Sequence, residues 1–360
     1  MRHDQRRAWV EVDLDALKRN ASMLAQRARV PLLPMVKADA YGLGVEAVVW
    51  ALETLEPWGY GVATVPEGAQ LRSLGVSRPI LVFTPLLVEE FDEARVNELT
   101  PTLGDSRRIN AWHSSGTGAW HLAVDTGMNR AGMPWDRVAE LTKVIQELPP
   151  EGAFTHFHSA EEDVRSVEQQ RQRFDQAIAA LPSRPRYLHA ENSAAIERYT
   201  PSRWDLARPG VALYGVGGGA GSVVSPDAVA SLHARIVEVR DVPAGESVSY
   251  GATWRATGWS RIATVAAGYA DGIRRSLSNK GAALVNGKRA SIAGVVTMDM
   301  TMLDVTDVAC SVGDVATFVG RQDDAEITIG EFAAFGELSP YEALVGLGLR
   351  AHRVYMNGSA

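Results

Sequence analysis

The chain has 360 residues, a formal net charge of −7, 46% hydrophobic and 22% charged residues, and one cysteine. Its length exceeds the size at which a single core stops growing, and its ordinary composition excludes disordered, collagen-like and disulfide-stapled chains. The acidic balance leaves no footprint for nucleic acid or an anionic membrane surface, so a small-molecule ligand is expected. Cys310, without a second thiol, is assigned no chemistry. The basic start is interrupted by acidic residues before any apolar stretch, and no run of eighteen apolar residues occurs. A cytoplasmic protein is expected.

In chain order, residues 30–36, 80–83, 120–124 and 152–157 read as strands, and 14–28, 45–55, 135–148 and 164–181 read as helices. Alternation of this kind from about residue 9 to 215 implies a parallel sheet. Chemistry-bearing residues after several strand ends favour an α/β fold of the TIM-type (β/α)8 barrel class over an open sheet. The glycine-rich stretch 215–225 reads as a flexible linker and completes no dinucleotide-binding register. Beyond it, 233–242, 260–268, 282–285, 290–296, 302–305 and 315–318 are short, β-branched and separated by turn residues. The expected organisation is a barrel over 9–225 followed by a mainly β C-terminal domain over 226–360, with residues 1–8 a candidate to pack on the second.

Lys37 ends the apolar run in PLLPMVKADAYGLG and would project from the C-terminal mouth of a barrel strand. Desolvation there lowers an amine's pKa and frees the lone pair that attack on an aldehyde requires. Taken alone, a strand-end lysine is more often a charged rim residue. His156 and His158, alternating along a strand, would share a face, as in the metal sites of barrel hydrolases. Such a site would need His189 or Glu161 as further ligands, and no third spaced motif supports them.

VKADAYGLG, HLAVDTGMNRAG, THFHSAEED, ENSAA, RPGVALYG, VSYGATW, AGYADG and TMDM occur in that order and span both expected domains. Together they resemble the alanine racemase family. The resemblance implies a pyridoxal 5'-phosphate (PLP) cofactor carried by Lys37, a homodimer with shared active sites, and a supply of D-alanine for cell-wall peptidoglycan. It gives Tyr41, Ser193, Tyr341 and the backbone N–H groups of Gly210 and Val211 to the cofactor phosphate. Arg208 would face the pyridine nitrogen. Because a guanidinium keeps its protons, it would leave that nitrogen unprotonated and weaken the electron sink. His156 would pack against the ring, and Arg130 would hydrogen-bond the cofactor's phenolic oxygen and, with the Met298 N–H, hold the substrate carboxylate. Racemisation needs acid/base groups on both faces of the substrate, and the resemblance supplies Lys37 for one and Tyr250, reaching in from a second subunit, for the other.

The pattern departs from the family at Ala123, where many members carry a lysine, often carbamylated, that orients the arginine at position 130. Glu161 stands for a common aspartate, Val295 for a common arginine and Thr297 for a frequent cysteine, whereas Arg275 matches. These differences leave room for a preference for serine or another small amino acid. Rival readings are a fold-related PLP decarboxylase or aldolase, which typically sets an acid where Arg208 stands, a PLP carrier, which lacks the β domain, and the metal-dependent hydrolase.

Overall fold

The computed structural model describes residues 6–199, 201–217, 219 and 221–357. Residues 1–5, and Gly218 and Ala220 of the expected linker, lie outside the described residues. The N-terminal part is built on parallel strands in the order Tyr60–Val62, Ile80–Val82, Thr100–Leu103, His121–Asp125, Gly152–Phe154 and Tyr187–His189. Isolated parallel bridges close the ring: His189 pairs with Leu206, Ala207 with Leu32, and Met35 with Gly61. Residues 32–35 and 206–207 therefore fill the two remaining positions of an eight-membered TIM-type barrel.

The segment 30–36, expected as a regular strand, is extended but carries bridges only. Pro31 and Pro34 have no N–H to donate, which interrupts the ladder. The neighbouring N–H groups hold the segment instead, Leu33 donating to Ala207 O, Met35 to Pro209 O and Val36 to Gly61 O. Helix Leu14–Ala28 has the expected bounds because Asp13 caps it, its carboxylate accepting from the Asp15 and Ala16 N–H groups, and Arg29 ends it in a left-handed conformation. The segment 135–148, expected as one helix, is a 3-10 helix over Trp135–Leu141 followed by an α-helix over Thr142–Glu147.

The C-terminal part is mainly β. Its nine-stranded sheet is antiparallel around the long strand Ala230–Val242, which also pairs with Val315–Gln322 and so curls the sheet on itself. The strand Ala8–Asp13 is inserted between Ala230–Val242 and His352–Met356, parallel to the latter. Residues 9–13, which the sequence assigned to the barrel, therefore belong to this second sheet. The stretch around 215–225 is tied down at its ends: the buried Asn20 carboxamide donates to Leu213 O and Asp227 O and accepts from the Asp227 N–H. Helix Pro340–Gly346 returns from the β-rich part to pack on the turn that carries Lys37. Among the described residues no helix is long and apolar enough to cross a membrane.

Candidate active site

Lys37 opens a short turn, Lys37–Tyr41, in which Ala38, Asp39, Ala40 and Tyr41 all have φ between +53° and +56°. A left-handed turn of non-glycine residues costs on the order of 1 kcal/mol per residue and persists only where the surroundings hold it. Here they do. The Glu67 carboxylate accepts from the Ala38 and Ala63 N–H groups, and Asp39 Oδ1 accepts from the Val45 N–H. Arg353, on the strand His352–Met356, bridges to Asp39 at 2.8 Å and donates to Gly42 O at 2.8 Å. Gly44 lets the backbone pass beneath Tyr355, because a Cβ there would overlap the phenol oxygen. The amine so presented is held below the usual lysine range, chiefly by burial and then by the Arg130 charge, with Glu67 opposing.

The Tyr41 ring stacks on Tyr214, with centroids 4.7 Å apart, while Tyr214 donates to Met35 O. Burial pushes the Tyr41 phenol up to about 12, so it stays a hydrogen-bond donor. Its hydroxyl lies over Gly210, where a Cβ would come within 2.5 Å of it. The Gly210 and Ala212 N–H groups both donate to Ser193 Oγ, at 2.9 and 3.2 Å, and Val211 opens the 3-10 turn Val211–Tyr214. Ser193 is not the helix cap: Asn192 takes that place, accepting from the Ala195 N–H. Hydroxyls and N–H groups thus converge on one small region, as an anion requires. Tyr341 reaches this side of the mouth, its hydroxyl donating to Glu161 at 3.2 Å. Burial and the Glu161 charge push that phenol up.

Arg208 is buried in the mouth. Nη2 donates to Thr155 O at 2.8 Å and Ala190 O at 3.1 Å, with His156 Nδ1 at 3.3 Å, and Nη1 lies 2.9 Å from His189 Nδ1. Burial lowers this guanidinium to about 10, with the buried Glu191 opposing, so it remains a cation at neutral pH. Burial first, and then the charges of Arg208, Arg130 and Lys37, lower His156 to about 3. His156 and His158 do not share a face as expected, because the strand ends at Phe154. His158 is exposed and pairs with Ser159 Oγ, whereas His156 turns to Arg208. His189 points into the barrel interior and Glu161 binds Tyr341, so the four do not assemble as the hydrolase reading required.

Arg130 has no ion pair or side-chain hydrogen bond among the described residues. It lines a cavity of about 560 Å³ with Ala123, Thr102, Arg108, Arg137 and Glu140. Arg108 pairs with Asp105 and Arg137 with Glu140, so Arg130 contributes the excess positive charge there. Tyr250 and Met298 stand apart from this group. Both lie in the β-rich part, 73% and 52% exposed, and Met300, two residues after Met298, is 44% exposed. The turn carrying Met298 is fixed by the Thr297–Met300 hydrogen bonds and by Ala270 N–H donating to Met298 O.

Glu67, Asp39 with Arg353, and His121 shape the site without having been singled out for it from sequence, and His189, weighed there only as a metal ligand, pairs with His121 instead. Only Glu67 left a readable signal, as the third residue after Thr64 in a helix-capping box.

The alanine racemase N-terminal domain family matches residues 12–217 and the corresponding C-terminal domain family matches residues 229–355. The alanine racemase of Geobacter sp. (strain M21) is 38% identical, covering 98% of this chain and 100% of its own. The crystal structure of alanine racemase from E. faecalis superimposes with a TM-score of 0.92 at 31% identity, over 98% of each chain. That of the Bartonella henselae enzyme, which contains covalently bound pyridoxal phosphate, gives 0.90 at 27% identity, over 98% of this chain and 100% of its own.

Proposed function

Because the chain belongs to the alanine racemase family, a family of PLP-dependent isomerases, we propose that it interconverts L- and D-alanine by a two-base mechanism in a cytoplasmic homodimer. The observation that carries the reading is the convergence, at one barrel mouth, of a desolvated amine, a cluster of hydroxyl and N–H donors and a buried guanidinium. These three features suit the aldehyde, phosphate and ring-nitrogen ends of PLP.

Lys37 would hold the cofactor covalently. Tyr41, Ser193, Tyr341 and the Gly210 and Val211 N–H groups would bind its phosphate, and His156 would pack beside its ring. When bound, PLP supplies an electron sink for the charge left at the substrate Cα. Arg208 would face the ring nitrogen and, keeping its protons, would leave that nitrogen unprotonated, a weaker electron sink that would favour return of the proton to Cα over side reactions. Arg130 and the backbone N–H of Met298 of the partner subunit would bind the substrate carboxylate, since Met298 stands apart from Arg130 within one chain, with the excess charge beside Ala123 drawing the anion in. Lys37 Nζ, its pKa lowered, moves a proton on one face. Tyr250 of the partner subunit moves a proton on the other, and the exposed Tyr250, Met298 and Met300 side chains are apolar surface that a second copy would cover.

The test is to incubate the PLP-loaded protein with L-alanine, and separately with L-serine, in deuterated water, following enantiomer composition and Cα deuterium. D-Alanine carrying deuterium at Cα is expected. Racemisation of serine alone would change the substrate, and no exchange with either despite bound PLP would sink the reading. Lys37→Ala is expected to abolish the covalent chromophore, and Tyr250→Phe to remove proton exchange starting from one enantiomer while sparing the other.

A further inference from the structure

The barrel interior holds two histidines that the proposed chemistry leaves idle. His121 Nδ1 lies 2.8 Å from His189 Nε2, and His189 Nδ1 lies 2.9 Å from Arg208 Nη1. The proton positions follow by elimination. A guanidinium has no lone pair, so His189 Nδ1 must accept, and a neutral His189 then carries its proton on Nε2. That proton points at His121 Nδ1, which must accept in turn, leaving the His121 proton on Nε2. His121 Nε2 lies 4.0 Å from the Glu151 carboxylate, too far for a hydrogen bond but within reach of its charge.

The surroundings are built for this chain. Gly152 stands opposite His121 in the parallel register, and a Cβ there would come within 2.4 Å of the imidazole Nδ1 and Cε1. Phe154 lies face to face with His189, with centroids 5.2 Å apart and planes 6° apart, which fixes the ring's rotation. Burial and the Arg208 charge keep both imidazoles neutral. The two carbonyls that accept from Arg208 take Nη2, whereas among the described residues Nη1 is held through His189.

We propose that His189 and His121 are positioning residues, a one-way hydrogen-bond relay in which Arg208 at the barrel mouth donates to His189 and His189 donates to His121, with the Glu151 charge beyond it, and which fixes the direction in which Arg208 presents its remaining donors. This rests on Arg208 facing the cofactor ring. It extends the working parts of the site through the barrel core to the face opposite the mouth.

The first test is 15N NMR of the histidine-labelled, PLP-loaded protein. Both His189 and His121 are expected as neutral imidazoles with Nε2 protonated and Nδ1 bare from pH 8 to 5.5. The opposite tautomer at either ring, or a cationic imidazole at neutral pH, would overturn the relay whatever any variant does. The second test reads the absorbance spectrum of bound PLP, which does not depend on the substrate being alanine. His121→Leu leaves the His189 donor without an acceptor and is expected to shift that spectrum. It should also lower kcat about tenfold, the worth of one buried hydrogen bond, at unchanged KM. His121→Gln, whose carboxamide can both accept and donate, is expected to restore the spectrum and most of kcat. A folded His121→Leu protein with the wild-type spectrum and kcat refutes the proposal.

Discussion

Replacing Gly210 by alanine isolates one part of the proposed phosphate site. The added Cβ would sit 2.5 Å from the Tyr41 hydroxyl oxygen and 3.4 Å from its Cζ. Ordinary carbon–oxygen contact begins near 3.3 Å, so the hydroxyl must move by roughly 0.8 Å. Tyr41 has little room to turn, since it is buried, stacked on Tyr214 and carried by the clamped left-handed turn. The expected cost is the hydrogen bond from Tyr41 to an anionic phosphate. Such charge-assisted bonds contribute about 1.5–3 kcal/mol, which converts to a roughly 10- to 150-fold weaker PLP affinity. Titrating the apoprotein with PLP and following the absorbance of the bound form measures this directly. Pyridoxal, which lacks the phosphate, should bind the variant as it binds the wild type. Tyr41→Phe should lose a similar amount, and the double variant should lose little more, because both substitutions remove one interaction. Gly210→Ala protein with unchanged PLP affinity, or one that loses pyridoxal equally, would refute the assignment of Tyr41 and Gly210 to the phosphate.

The left-handed turn gives a second expectation: Ala38 is exposed with φ 53°, so Ala38→Gly should relieve strain of about 1 kcal/mol and raise the unfolding temperature by about 1 °C, whereas a lower temperature would mean the turn is not strained. Arg353→Gln should weaken the clamp on Gly42 O and Asp39 by about 1 kcal/mol and reduce kcat, and unchanged kcat would separate the clamp from catalysis. Stability should also fall with acid. His121 and His156, lowered to about 3, and His189, held well below its usual value, stay neutral in the fold, while the unfolded chain protonates them below about pH 6.5. Their contribution is complete above pH 6.5 and is lost as the pH falls toward 3. Glu191, held above its usual range, works in the opposite sense near the carboxylate range. Denaturant titrations of the apoprotein from pH 6.5 to 5 should therefore show a progressive loss, its slope approaching roughly 1.4 kcal/mol per pH unit for each of the three histidines, less the opposing share of Glu191, and a flat profile would contradict the buried neutral histidines.

What the sequence displayed depended on length and on locality. Helix Leu14–Ala28 was legible to the residue because both its face and its Asp13 cap lie within one short stretch. Strands of three or four residues, such as Tyr60–Val62 and Thr100–Leu103, are too short to display a period, and the second carries Pro101 between two threonines. The strand Ala8–Asp13 alternates well enough, but nothing local says that its partners lie at Ala230–Val242 and His352–Met356. The same limit governed the site. Lys37 and Arg208 stand in recognisable segments, but the clamp from Arg353 and the pairing of His121 with His189 are contacts between distant parts of the chain. The expectation that His156 and His158 share a face failed because the strand stops at Phe154, two residues before the alternation would matter.

The clamp on the lysine turn also sets an order of events. Arg353 lies on the last strand in chain order, and that strand is seated against one of the first, Ala8–Asp13. A nascent chain that has emerged as far as the barrel holds Lys37 but lacks the side chain that pins Asp39 and Gly42. Its amine hangs on a turn that the backbone by itself disfavours. Docking of that strand therefore has to precede the presentation of the Lys37 amine in this geometry, and a chain cut short before Arg353 would be made with its lysine present but unaimed.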